Sequence, residues 1–176
     1  DSLSNFEVAE LTAGPGNDVI NATGFTSGLR TFLAGGAGDD RIFGTNFTDV
    51  IVGQNGNDLI AGFSGWDLLQ GGAGNDTVFG GTGNDTIDGG SGTDNFAETA
   101  DVNFVLTDTQ LTGLGTDTII SAEIATLKGG ASNNTINASG AATIRAMISG
   151  MGGADTLTGG AARDTINGGS GNDVVD

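Results

Sequence analysis

The sequence predicts an all-β solenoid in which one short turn-and-strand unit repeats along the chain. A nine-residue motif recurs seven times without a gap over residues 35–97. Position six of the motif is Asp in every copy, and position eight is always Ile, Leu, Val or Phe. Positions one, two and four are mostly Gly, so the unit alternates a glycine-rich half with an apolar half.

The glycine-rich half of each copy, positions one to six, predicts a tight turn, because glycine tolerates positive φ and close backbone approach. Such a turn leaves carbonyl oxygens pointing inward, beside the Asp carboxylate. These are hard oxygen ligands of the kind that Ca²⁺ takes in sets of six to eight. Positions seven to nine predict a three-residue strand, in which position eight faces the core because side chains alternate. The predicted core is Ile42, Ile51, Ile60, Leu69, Val78, Ile87 and Phe96.

The seven copies are GGAGDDRIF, GTNFTDVIV, GQNGNDLIA, GFSGWDLLQ, GGAGNDTVF, GGTGNDTID and GGSGTDNFA. Their consensus, GGxGxDxUx with U a large apolar residue, resembles the RTX (repeats-in-toxin, haemolysin-type calcium-binding repeat) family of secreted bacterial proteins. The resemblance implies a right-handed parallel β-roll, a β-solenoid with calcium ions in its turns, in which two nonapeptides form one coil. The alternative is another Gly-rich β-solenoid that holds no metal.

The resemblance also implies where the ions bind, since alternate copies would lie on the same edge of the roll. One edge would carry Asp40, Asp58, Asp76 and Asp94, and the other would carry Asp49, Asp67 and Asp85. Sharing of Asp residues between adjacent coils implies about five Ca²⁺ in the central array, at the pairs 40/58, 58/76, 76/94, 49/67 and 67/85. Backbone carbonyls would complete the ligand sets in turns that include Gly36, Gly38, Gly53, Gly56, Gly71, Gly72, Gly74, Gly81, Gly83, Gly90 and Gly92.

Two copies depart from the consensus. The second has Thr45 and Phe47 where Gly is expected, and the fourth has Phe63 at position two. We therefore expect the turn around Asp49 to be irregular and its sites to be weak or empty.

Residues from Asp117 onward repeat the start of the chain at an offset of 116, so that Asp1 matches Asp117 and Glu7 matches Glu123. We predict one elongated β-roll over residues 1–176. Residues 1–116 form a first super-repeat unit with regular nonapeptides at 35–97, and 117–176 form a partial second unit with nonapeptides at 150–176. Further candidate ligands are Asp18, which would face Asp40, and Asn134, Asp155, Asp164 and Asp173. Asn134 offers a neutral oxygen, so its site with Asp155 should be weaker.

Two segments, residues 22–34 and 98–128, interrupt the nonapeptides and are predicted to be β-coils or flaps that continue the solenoid. In the second segment we expect a strand at 102–106, turns through TDTQLTGLGTDT, and a strand in IISAEIATL. Apolar side chains on the outer strand faces would be covered by these inserts or would contact another copy or domain. They are Phe43, Leu59 and Phe79 on one face and Val50, Val52 and Leu68 on the other.

The formal charge of −17, with only five basic residues, excludes binding to nucleic acid by phosphate neutralisation and disfavours anionic membranes. No apolar stretch is long enough to insert in a bilayer. Five Ca²⁺ would reduce the charge from −17 to −7. Without metal the carboxylates repel one another and 34 Gly oppose folding, so we expect metal binding to drive folding.

The sequence has no His and no Cys, which excludes Ser/His/Asp and Cys/His catalysis, and we expect no enzymatic activity in this chain. We expect a module that folds on Ca²⁺ binding outside the cell, after type I secretion, as a structural part of a secreted or surface protein of adhesin or surface-layer type. The alternative is the C-terminal secretion and folding module of a secreted protease, lipase or epimerase. Expected partners are Ca²⁺, further copies or flanking repeats, and a polysaccharide or cell surface, with Trp66 as a candidate contact.

Overall fold

The computed structural model describes residues 8–26 and 30–176, where all regular secondary structure is β-strand. Asp1, Glu7 and the neighbouring residues 1–7 lie outside the described part. The first of two sheets contains, in spatial order, β1 (Val8–Thr12), β3 (Arg30–Ala37), β5 (Asp49–Asn55), β7 (Leu68–Ala73), β9 (Thr86–Ser91), β13 (Thr116–Ile120), β12 (Gln110–Thr112), β11 (Phe104–Thr107), β15 (Thr135–Gly140), β17 (Thr156–Thr158) and β19 (Val174–Val175). The second contains β18 (Thr165–Asn167), β16 (Arg145–Ser149), β14 (Ile124–Lys128), β10 (Asn95–Thr99), β8 (Thr77–Gly83), β6 (Leu59–Gly65), β4 (Arg41–Phe43) and β2 (Val19–Asn21).

Outside β11–β13 the chain alternates between the two sheets, and each strand pairs in parallel with the strand one coil further on. Ile42 lies opposite Ile60, and Ile60 lies opposite Val78, so one coil takes 18 residues or two nonapeptides. The position-eight side chains of all seven copies are at most 1% exposed and form the core between the sheets. The prediction of a parallel β-solenoid with position eight inside is therefore confirmed.

β4, β17 and β18 have the three residues predicted from the motif, but the strands of the other copies in 35–97 are longer. β5 spans seven residues, because its register with β7 continues through Gln54 opposite Gly72 and Asn55 opposite Ala73. Positions two and three of the motif therefore pair with the neighbouring coil as well as turning the chain. The cause is that identical backbones stacked in register can continue hydrogen bonding beyond the apolar positions.

The second insert differs from its prediction, because its middle part is not a series of turns. β11, β12 and β13 form an antiparallel meander within the first sheet. β13 pairs in parallel with β9, while β11 pairs in parallel with β15 on the far side of the meander. The segment IISAEIATL is likewise split into β13 and β14, since the backbone turns at Ser121 with φ 50°. The insert thus continues the first sheet from β9 to β15. The outer side chains of Phe43, Leu59 and Phe79 are half-buried.

Corresponding strands of the two sequence repeats lie in opposite sheets. The offset of 116 equates β1 with β14, yet β1 belongs to the first sheet and β14 to the second. The same holds for β2 and β15. The reason is that β11, β12 and β13 are consecutive strands of the same sheet. The chain therefore crosses from one sheet to the other an odd number of times between equivalent strands, and it ends in the opposite sheet.

Within the described residues, no helix is long and apolar enough to cross a bilayer.

Candidate metal sites between the coils

The Asp at position six of each copy ends a turn and bonds to the preceding coil. On the first edge (Asp40, Asp58, Asp76 and Asp94), each Oδ1 from Asp58 onward accepts a hydrogen bond from the amide of the Asp 18 residues earlier, over 2.8–2.9 Å. On the second edge (Asp49, Asp67 and Asp85), the corresponding distances are 2.8 and 2.9 Å. The structure therefore brings together all five Asp pairs that the sequence places on common edges.

The second carboxylate oxygen, Oδ2, has no hydrogen-bond partner in most of these turns and is buried. This holds for Asp40, Asp58, Asp67, Asp76, Asp85, Asp94 and Asp155. Each of these residues is at most 3% exposed. A buried carboxylate oxygen without a partner is strongly unfavourable unless a cation or a proton compensates it. These atoms therefore mark places where a cation would fit.

The space in front of Oδ2 is bounded by a backbone carbonyl from the next coil. A Cβ atom built on Gly62 would lie 2.5 Å from Oδ2 of Asp67 and 2.8 Å from the carbonyl oxygen of Gly80. A Cβ atom on Gly53 would lie 2.6 Å from the carbonyl oxygen of Gly71. Position one must be glycine because these oxygens converge there. A carboxylate and a carbonyl facing one space are the donors that Ca²⁺ prefers.

The predicted glycine carbonyls divide between two environments. Those of Gly53 and Gly71 face an Asp Oδ2, and the equivalent carbonyls of Gly62, Gly80 and Gly89, which the sequence analysis did not name, do the same. By contrast, a second group of carbonyls points at a glycine Cα in the following coil: Gly38, Gly56, Gly72, Gly74 and Gly83. Gly36, Gly81, Gly90 and Gly92 have positive φ and pack on a carbonyl of the preceding coil. Position one is therefore better placed to supply ligands than positions two and four.

The electrostatics of the edges favour a bound cation. Burial raises the pKa of Asp67 to about 7, and the charges of Asp85 and Asp49 act in the same direction. Burial raises the pKa of Asp76 to about 6, with further contributions from Asp58 and Asp94. Stacked carboxylates thus disfavour one another's charged form, and a divalent cation between them would reverse that effect.

Comparison with known families decides between a calcium-binding roll and another glycine-rich solenoid. A family model described as the RTX calcium-binding nonapeptide repeat matches the chain in four copies, at residues 34–62, 61–96, 124–142 and 147–176. The chain belongs to the RTX family. Calcium binding by a β-roll module is therefore a property of its family. The comparison with curated proteins finds no match.

Three RTX turns differ from the others, and we call them closed turns. In each of them the amide of the position-two residue donates a hydrogen bond to the side-chain oxygen of the position-six residue. Thr45 donates from its amide to Oδ2 of Asp49 over 2.7 Å, and its hydroxyl contacts both carboxylate oxygens. The amide of Gly160 donates to Oδ2 of Asp164 over 2.6 Å. The amide of Gly130 donates to Oδ1 of Asn134 over 2.9 Å. In these turns the oxygen that would face a metal already has a protein donor.

The candidate ligands near the two ends of the RTX array are also brought to their predicted neighbours. The amide of Asp18 donates to Asp40 over 2.8 Å, and the amide of Asp155 donates to Asp173 over 3.0 Å. The amide of Asn134 donates to Asp155 over 2.7 Å. Asp18, Asp164 and Asp173 are only half-buried, so water competes more strongly with a metal there.

Three acidic residues that sequence reasoning missed continue the RTX ladders into the insert. Oδ1 of Asp117 accepts from the amide of Asp85 over 3.0 Å, and Oε2 of Glu123 accepts from the amide of Asp94 over 2.8 Å. Glu98 is buried near Asp117, and burial together with the charge of Asp117 raises its pKa to about 7. Neither Glu98 nor Glu123 stands at position six of a nonapeptide, so the motif gives no signal for them. Asp117 does have a signal, since TGLGTDTII fits the motif except at its first position.

Over residues 8–26 and 30–176, no three His, Cys, Asp or Glu side chains converge as a metal-binding cluster. Any cation between the coils would therefore be held by one or two carboxylates, with backbone carbonyls and water as the remaining ligands.

Proposed function

We propose that this RTX β-roll folds when Ca²⁺ binds outside the cell and serves as a structural part of a secreted or surface protein of adhesin or surface-layer type. The observation that carries the proposal is the set of buried, unpartnered Oδ2 atoms, which recurs at 18-residue spacing along both edges. Four of the five central pairs have such an oxygen in their first residue: 40/58, 58/76, 76/94 and 67/85. The fifth, 49/67, begins with the closed turn of Asp49.

Coupling between binding and folding follows from the same geometry. Each proposed site joins two coils, so it exists only when both are stacked. A ligand that binds the folded state alone adds its binding free energy to stability. The formal charge of −17 and the 34 Gly oppose folding of the metal-free chain. Extracellular calcium modules bind at about 10⁻⁴–10⁻³ M, so the chain would stay unfolded in the low Ca²⁺ of the cytosol.

The test is a Ca²⁺ titration of the metal-stripped chain, followed by far-ultraviolet circular dichroism and by fluorescence of Trp66. Trp66 is 70% exposed and precedes Asp67, so it reports on one turn while dichroism reports on all strands. We expect a cooperative coil-to-β transition in the sub-millimolar to millimolar range that Mg²⁺ does not produce. A chain that is already folded without Ca²⁺ would refute the folding switch.

We also propose that the chain has no catalytic activity of its own, since it lacks His and Cys and its buried Asp residues are committed to the turns. The repetition at 116 residues supports a structural role, because an export module of an enzyme gains little from long-period duplication. Sequencing of the parent protein discriminates between these roles. Further 116-residue units favour the structural role, and an adjoining catalytic domain favours the export module.

A further inference from the structure

We propose that the carboxylates of Asp85 and Glu98 form an additional Ca²⁺ site, which fastens the β11–β13 meander to the regular coils. Asp85 belongs to the sixth nonapeptide, but Glu98 lies outside the pattern, since the family match is interrupted between residues 96 and 124. It deepens the proposed function and rests on it, because it requires that Ca²⁺ binds between the coils.

The argument begins with the motif position of Glu98. It follows the seventh copy directly and so occupies position one of the next nonapeptide, where all seven copies have Gly. In the regular turns the position-one carbonyl faces Oδ2 of an Asp in the preceding coil. At Gly80, a Cβ atom would instead lie 2.8 Å from Oδ2 of Asp85 and 3.5 Å from Oε1 of Glu98. A carboxylate has therefore taken the place of the backbone carbonyl.

The two carboxylates are held in place by backbone donors. Oε1 of Glu98 accepts from the amide of Gly81 over 2.8 Å, which directs the side chain back into the preceding coil. Asp85 is fixed through its own amide, which donates to Asp117. Oδ2 of Asp85 is left without a partner, although Asp85 is only 2% exposed. An unpartnered anionic oxygen thus faces the space that Glu98 enters.

The density of buried negative charge favours a cation at this point. Asp85, Glu98 and Asp117 are 2%, 4% and 1% exposed, so three carboxylates are buried in one neighbourhood. Hard oxygen donors in this number suit Ca²⁺, whereas softer metals favour nitrogen or sulfur.

A cation held by Asp85 and Glu98 would connect their two segments directly, and it would act on β13 through Asp117, whose Oδ1 accepts from the amide of Asp85. Asp85 precedes β9, Glu98 lies on β10 and Asp117 lies on β13. β13 is the strand through which the meander joins the regular coils. Binding at this site would therefore couple the order of the meander to Ca²⁺.

The test compares Glu98→Gln with Glu10→Gln in the full chain. Glutamine keeps an oxygen for the amide of Gly81 and removes only the charge, while Glu10 is an exposed glutamate on β1. Equilibrium dialysis against saturating Ca²⁺ counts the ions bound per chain. We expect Glu98→Gln to bind one ion fewer than wild type, or to bind its last ion about 10-fold more weakly, and Glu10→Gln to be unchanged. An unchanged count and affinity in Glu98→Gln would overturn the site.

A crystal structure of the wild-type chain grown with Ca²⁺ gives an answer that does not depend on whether the variant folds. An ion bound by Oδ2 of Asp85 and the carboxylate of Glu98 supports the proposal, and occupied regular turns without an ion here would overturn it. If the wild-type chain binds no Ca²⁺ at all, the proposed function fails as well. Ions in the regular turns alone would remove only the additional site.

Discussion

The amide of Asp58 donates a hydrogen bond to Oδ1 of Asp76 over 2.8 Å, while Oδ2 of Asp76 is buried without a partner. The two oxygens of this carboxylate therefore have different roles. Oδ1 fixes the register of adjacent coils, and Oδ2 faces the space in which we propose that Ca²⁺ binds. Because the pairing recurs every 18 residues, each Asp contributes both to stacking and to the site, and the two contributions can be separated by substitution.

Replacing Asp58 by Asn should raise the Ca²⁺ concentration needed for folding by about 10-fold, because the amide keeps an acceptor for stacking but removes the charge that binds the ion. Asp39→Asn is the control, because Asp39 is exposed and accepts only at Oδ1, from Asn57, so that Asn keeps the acceptor and removes the charge. The Ca²⁺ midpoint of the dichroism transition measures both. Equal shifts in the two variants would show that general loss of negative charge, and not loss of a site, moves the midpoint.

Gly53→Ala should remove a bound ion, since the added Cβ atom would lie 2.6 Å from the carbonyl oxygen of Gly71 and would fill the space in front of Asp58. Gly14→Ala is the control, because its Cβ atom would meet nothing within 4 Å. Ions per chain are counted by equilibrium dialysis at saturating Ca²⁺. A full complement of ions in Gly53→Ala would show that position one does not line the sites.

The metal-free protein should lose stability as pH rises from 5 to 8. The pKa of Asp67 is raised to about 7 and that of Asp76 to about 6, so the folded state binds protons more tightly than the unfolded state. Stability from this source is fully present below the unfolded pKa of about 3.9 and is lost as pH rises through the folded pKa values. Ca²⁺ competes with these protons, so its affinity should rise over the same interval.

The fraction of folded, metal-free protein is followed by circular dichroism from pH 8 down to pH 5, and Ca²⁺ titrations at both ends of the range measure the opposite trend in affinity. Asp101 and Asp108 do not contribute to the change in stability between pH 5 and pH 8. Hydrogen bonds lower their pKa values, first from Asn134 for Asp101 and from Thr143 for Asp108, so they affect stability only below about pH 4. Greater metal-free stability at pH 8 would contradict the prediction.

Gln54→Gly should stabilise the folded protein by about 1 kcal/mol, because Gln54 has φ 82°, a conformation that costs a side chain about that much. Gln70→Gly is the control. Gln70 lies within β7, where glycine should instead destabilise by about 0.5–1 kcal/mol. Denaturant unfolding at saturating Ca²⁺ measures both changes. A loss of stability in Gln54→Gly would mean that its side-chain contacts outweigh the backbone strain.

Much of the regular roll could be predicted from the nonapeptide and the family that it resembles. The buried Ile42, Ile51 and Ile60 follow from the alternation within the motif, and the neighbouring Asp pairs follow from the coil of two nonapeptides that the resemblance implies. Local periodicity then determines stacking, since shifting one coil would misalign its apolar and acidic positions together. The motif does not predict how the turns of individual copies differ from one another. Thr45 is visibly irregular in sequence, but only its hydrogen bonds show that it closes the turn of Asp49.

By itself, the sequence determined the inward positions of the nonapeptides, and its resemblance to the RTX family added the coil length and the edge on which each regular Asp lies. Only the tertiary structure decided how the insert is built, that equivalent strands of the two units lie in opposite sheets, and that Glu98 turns back towards Asp85. The physical reason is that these features depend on contacts without a repeat, such as Asp94 with Glu123 at a separation of 29 residues and Asp85 with Asp117 at 32. Once the regular coils have stacked, some strand edges and buried oxygens still lack partners. The insert forms its contacts with these.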